Sequence, residues 1–284
     1  SFRRPPPVVG VIRLSGVIGQ AGLLRGGMQL DSLAPSIERA FRLSGLKAIA
    51  LAINSPGGSP AQSALIQQRI RDLAMEREVP VMAFVEDVAA SGGYWLACSA
   101  DEIFVNENSI LGSIGVISAG FGFTDAIKKL GIERRLHTQG KKKSLLDPFK
   151  PEHPEDVARL EHVQRQIHDN FKKLVRKRRG QRLNLEEEEL FSGDFWLGAR
   201  AVEIGLADGI GELRGVLRER YGKKVRIRNV TRRPGWLRRR FGFGAAGLIS
   251  ARFLGAPMEQ VNDSFIDDIL STIEARAWWS RFGL

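Results

Sequence analysis

Asp87-Val88-Ala89-Ala90-Ser91-Gly92-Gly93-Tyr94-Trp95-Leu96-Ala97-Cys98-Ser99 is the stretch on which the reading of this chain turns. It follows an apolar run, residues 81–85, with the length and composition of a buried strand, and it leads into small and aromatic residues that can continue as helix. Ala-Ser-Gly-Gly permits a tight bend between the two. Such a bend lifts the Ser91 hydroxyl clear of a sheet, while Gly92 and Gly93 let a substrate backbone come close. A backbone N–H at the start of the helix would then face any negative charge that develops there. Taken alone, Ser-Gly-Gly also fits an ordinary strand-to-helix connection with an N-cap serine.

Working outward, residues 46–53 form a nearly continuous apolar run that stops at Asn54-Ser55-Pro56-Gly57-Gly58. This is the pattern of a strand buried on both faces, and the carboxyl end of such a strand is where open α/β sheets place their ligands. Two glycines after a proline let an N–H face a carbonyl oxygen with no side chain in the way. The Gly58 and Gly92 amides could therefore hold the oxyanion formed by attack from Ser91, although Ser-Pro-Gly-Gly by itself is an ideal type II turn. Strands are expected at 8–13, 46–53, 80–86, 102–105, 113–118 and 133–138. Helices are expected after 33, after Ser59-Pro60, at 123–130, at 154–179, at 196–204 and at 213–220. The alternation gives an α/β fold with a largely parallel sheet covered by helices. A composition break near Tyr221 divides the chain into an α/β domain, 1–220, and a basic and apolar C-terminal extension, 221–284.

The 284 residues carry a net charge of +11, but nine basic residues and no acidic one fall between Lys223 and Arg240, so the body is nearly neutral. That distribution argues against a nucleic-acid-binding body. The block runs into residues 241–251, which carry no charge; it is expected to lie on an anionic membrane surface, being too short to span a bilayer. Membrane association is expected in this peripheral form or through a segment upstream of Ser1. Cys98 is the only cysteine, which excludes an internal disulfide and a cysteine-based zinc site. Histidines 137, 153, 162 and 168 show no metal-binding spacing, so neither metal nor cofactor is expected, and surface or packing roles suffice for all four.

A serine nucleophile needs a base, and the histidine nearest in sequence, His137, falls on an expected strand. A lysine can serve if its site is apolar enough to favour the neutral amine. Lys141, Lys142 and Lys143 lie in a loop before Leu145 and Leu146, although three lysines in a row ordinarily mark a solvated loop. Together the 54–58 turn, Ala90-Ser91-Gly92-Gly93-Tyr94, Leu111-Gly112-Ser113-Ile114-Gly115-Val116, the 140–148 lysine loop and the 191–208 segment resemble the signal peptide peptidase A (protease IV) family. The likeness covers roughly residues 8–220 and implies the fold of the Clp protease subunit and the crotonases. It implies Ser91 as nucleophile, Lys143 (three positions after Gly140) as general base, Ser113 in contact with that lysine, and the Gly58 and Gly92 amides as oxyanion hole. It further implies peptide substrates such as signal-peptide remnants, and a homo-oligomeric ring with active sites shared between protomers. Two rivals are a crotonase-type acyl-coenzyme A enzyme, which would leave Ser91 and Lys143 idle, and a catalytically silent membrane scaffold.

Overall fold

The structure, a computed structural model, describes residues 5–19, 27–140, 142–231, 277 and 279–283. Three parallel strands form its centre: β1 (Val8–Ser15), β2 (Leu46–Ser55) and β3 (Val81–Ala90). Their side chains alternate between two apolar layers, as the strand period of two requires. Ile12, Leu14, Ile49, Leu51, Ile53, Val81, Ala83 and Val85 face one layer, with Val9, Val11, Ala48, Ala50, Met82 and Phe84 facing the other. Burial on both faces is why β2 reads as an uninterrupted apolar run.

Helices α1 (Leu30–Phe41), α2 (Pro60–Arg77) and α3 (Gly92–Ala97) contribute to the first layer. Ser59 caps α2 by accepting a hydrogen bond from the Gln62 N–H, and Pro60 opens the helix where a missing N–H costs nothing. Strands β4 (Glu102–Val105) and β5 (Ile110–Gly112) both pair with β3, but at different places: β4 with residues 82–85, β5 with residues 88–90. Ser109, buried, donates its hydroxyl to the Val85 and Glu86 carbonyls at this change of partner. Then follow α4 (Thr124–Lys129), α5 (Pro154–Arg179), α6 (Glu187–Leu190), β6 (Phe195–Leu197), α7 (Gly198–Glu203), β7 (Gly209–Ile210), α8 (Leu213–Tyr221) and β8 (Arg226–Asn229). The main sheet runs β6-β5-β3-β2-β1-β8, with β4 on β3 and β7 on β4, and β5–β6 is its antiparallel pair. The α/β class and the mostly parallel sheet are as expected.

Several expected elements differ. The strand expected at 113–118 lies earlier, at β5, because Ser113 takes a positive φ of 51° and turns its N–H to the Asp194 carbonyl, ending the ladder. Residues 133–138 are exposed, apart from the half-buried Leu136, and unpaired. The segment expected to be helical from 196 begins as β6, held against β5, and becomes helix only at Gly198. The sheet also continues past the composition break at Tyr221, since β8 pairs with β1. Residues 232–276, which hold most of the basic block and all of the uncharged run, lie outside the described residues.

Candidate active site

Ser91 sits between the end of β3 and the start of α3, with φ 51° and ψ −121°. A non-glycine residue held there costs about 1–3 kcal/mol, so the surroundings must enforce it. They do so from both sides: the Ser91 N–H donates to the Gly112 carbonyl at 2.8 Å, and the Ser91 carbonyl accepts from the Trp95 N–H at 3.0 Å. Ser91 occupies the N-cap position of α3 without a side-chain capping bond, and it lines a cavity of about 350 Å³.

Glycines make the approach possible. A Cβ on Gly57 would lie 2.9 Å from both the Gly92 nitrogen and the Ser91 Cβ, so the 54–58 turn is packed directly on the serine. One on Gly93 would lie 2.4 Å from the Ser55 carbonyl oxygen, and one on Gly92 would lie 2.5 Å from the Ser63 Oγ. Ser55, fully buried, orders this turn: its hydroxyl donates to the Gly16 carbonyl at 2.7 Å and accepts the Gly57 N–H at 3.2 Å. Ile18 brackets the far side, with its N–H bonded to the Gly57 carbonyl and its carbonyl to the Ser59 N–H, both at 2.8 Å. In that parallel bridge Ile18 uses both its groups, so the Gly58 N–H points away from it. Gly58, Ser91 and Gly92 line the same cavity. Neither Ser55 nor Ile18 was anticipated from sequence; the spacing of Gly16 and Gly19 was the available signal for the 16–19 loop.

The apolar part of the lining comes from Val17, Ile18, Trp95, Val116, Ile117, Ile167 and Phe171. Trp95 and Phe171 stack with ring centroids 4.8 Å apart, a contact of about 0.5–1.5 kcal/mol beyond the area it buries. Ser113 is buried two residues before Gly115, which lines the cavity. Lys143 is elsewhere: it is exposed on the 140–150 loop, its N–H bonded to the Gly140 carbonyl at 3.1 Å, and it is not among the residues that line the Ser91 cavity. The structure thus brings together Ser91, Gly58, Gly92 and the Ser113 segment, and leaves Lys143 apart within one chain.

Two buried groups near the serine are chemically silent. Burial pushes the Cys98 thiol up to about 12 and the Tyr94 hydroxyl well above its ordinary value, so neither ionises near neutral pH. Tyr94 is instead structural, donating to the Leu206 carbonyl at 2.9 Å. Among the described residues no group of three or more His, Cys, Asp or Glu side chains is placed to hold a metal ion.

A serine held at positive φ in a strand-to-helix bend, lining one cavity with Gly58 and Gly92 at the carboxyl end of an interior strand of a mostly parallel sheet, marks an α/β protein with a formed cleft at that bend. The model of peptidase family S49 matches residues 74–225, and the chain belongs to that family. It is 33% identical over 211 residues to "Protease 4" of Haemophilus influenzae, covering 72% of this chain and 33% of that protein. With "Serine protease SPPA, chloroplastic" of Arabidopsis thaliana it shares 30% identity over 210 residues, covering 72% of this chain and 31% of the relative. It is also 44% identical over 286 residues to a Brucella abortus protein named "Na(+)/H(+) antiporter NhaA", covering all of this chain but only 38% of that protein. The chain therefore spans about a third of the length of each of these relatives. Among the described residues no helix is long and apolar enough to cross a membrane.

Proposed function

We propose that this chain is a serine peptidase in which Ser91 attacks the scissile carbonyl and forms an acyl-enzyme that water then hydrolyses. The observation that carries the reading is the enforced backbone at Ser91, which lines one cavity with Gly58 and Gly92. Their N–H groups form the oxyanion hole, where one donor is worth about 2.7–4 kcal/mol in the transition state. Lys143 is the general base, and Ser113 accepts a hydrogen bond from its amine and aims it at Ser91. Because Lys143 is exposed and apart from the cavity, the base reaches Ser91 from a neighbouring protomer. The segment that carries it supports this, for it exposes Ile117, Phe121, Leu130 and Ile132 to between 55% and 81%, apolar surface that a second copy would cover.

The substrates are extended peptides with apolar side chains, such as the remnants of cleaved signal peptides, since the cavity walls are aliphatic and aromatic. The enzyme works at a membrane surface, where such peptides collect. Treatment with a fluorophosphonate followed by peptide mapping tests the nucleophile. We expect a single adduct on Ser91, absent from Ser91→Ala; an adduct at another serine, or peptide hydrolysis by Ser91→Ala, would refute the reading.

A further inference from the structure

Helix α5 is fastened to the body mainly along its carboxyl-terminal half. Phe171, Val175 and Arg179 are its buried residues, and Arg178 donates to the Cys98 carbonyl at 2.9 Å and the Ala100 carbonyl at 2.7 Å. Arg179 holds the Gly205 carbonyl at 2.8 Å and both oxygens of Asp208. Nearer the middle of the helix, His168 brings its Nε2 to 3.0 Å from the Ile114 carbonyl. A carbonyl oxygen can only accept, so Nε2 carries the proton, in the neutral ring or the charged one.

Beyond β5 the backbone leaves the sheet at Ser113, whose N–H is fixed by the Asp194 carbonyl at 2.6 Å; the Gly115 N–H turns back on the Ser113 carbonyl at 2.9 Å, and residues 115–117, which join no strand, line the Ser91 cavity. Ile114, buried, lies between that anchor and residues 115–117. His168 is flanked on α5 by Ile167 and Phe171, which line the same cavity. The His168–Ile114 bond thus ties α5 to the segment that runs into the 115–117 rim of the cavity.

Building on the reading of Ser91 as nucleophile, we propose that His168 is a positioning residue that sets the 115–117 rim, through the Ile114 carbonyl, at the separation an extended peptide substrate requires. A peptide lying along that rim must meet it at strand spacing, about 4.8 Å, to exchange backbone hydrogen bonds. A rim released from His168 samples other separations and binds the peptide less well, while the serine and the glycine amides keep their places. His168 itself touches neither substrate nor nucleophile.

The test compares His168→Leu, which keeps bulk and loses the donor, with His168→Gln, whose amide nitrogen can reach the same carbonyl. Loss of one neutral hydrogen bond predicts that His168→Leu raises KM for an extended peptide about tenfold. Its kcat, and the rate at which a small fluorophosphonate labels Ser91, should stay within about twofold, the label having no need of the rim. His168→Gln should return KM most of the way to that of the unaltered protein. An unchanged KM in His168→Leu, a His168→Gln as impaired as His168→Leu, or a labelling rate that falls in step with hydrolysis would each overturn the inference. Unaltered protein that fails to label at Ser91 would instead remove the reading on which the inference rests.

Discussion

Ser91 is strained, and in the function proposed above it is also the nucleophile; the two can be separated. Its φ of 51° is one that glycine adopts freely, so Ser91→Gly and Ser91→Ala should be equally inactive yet differ in stability, with the glycine variant about 1 kcal/mol more resistant to urea. Equal midpoints for the two variants would mean that the bend is not strained. Ser113→Ala tests the orienting hydroxyl: kcat should fall about tenfold or more with KM little changed, and an unchanged kcat would take Ser113 out of the site. At this scale the sequence was informative where glycine and serine occur together, because Ser-Gly-Gly and Pro-Gly-Gly leave few conformations open. It was silent on Ser55, Ile18 and His168, which act through long-range bonds to backbone groups that no local pattern reveals. His168 read as a surface or packing residue; in the structure its Nε2 lies 3.0 Å from the Ile114 carbonyl.

The elements that carry these residues are held by ion pairs as well as by apolar packing. Arg179 is almost wholly buried and pairs with Asp208 at 2.7 Å, linking α5 to the segment before β7. Asp208→Ala would strand a buried guanidinium and should cost about 3–5 kcal/mol, read as a fall in the urea midpoint. Asp101 is a second fastening, accepting from Val81 N–H, Arg71 and Arg178. Burial opposes its ionised form, but the Val81 N–H and the two guanidinium groups outweigh it and hold the carboxyl below its ordinary value of 3.8. A depressed carboxylate stabilises the fold above its unfolded value and loses that contribution as pH falls through the lower folded one. Stability should therefore drop below about pH 3.8 less steeply in Asp101→Asn than in the unaltered protein, and parallel acid curves would show that Asp101 contributes nothing. The central strands and α5 were legible because two-sided burial and helical periodicity leave strong marks on long segments. Short pieces were not: β6 is three residues long and is a strand only because β5 lies beside it.

Across the whole molecule, one chain brings Ser91, Gly58 and Gly92 to one cavity and presents Lys143 on an exposed loop that does not line it. The family resemblance implied Ser91 and Lys143 as one constellation, but linear order carries no information about which copy of the chain completes which site. The exposed apolar side chains at Ile117, Phe121, Leu130 and Ile132 give that question a physical form, since their exposure in a lone chain is unfavourable. Lys143→Ala should be as inactive as Ser91→Ala, with Lys142→Ala mild. The composite site is tested most directly by mixing the two inactive variants, Ser91→Ala and Lys143→Ala, under conditions where subunit exchange is followed independently. The account predicts that peptide hydrolysis reappears as exchange proceeds, since a junction between unlike protomers joins an intact serine to an intact lysine. Complete exchange with no recovery of activity would contradict it.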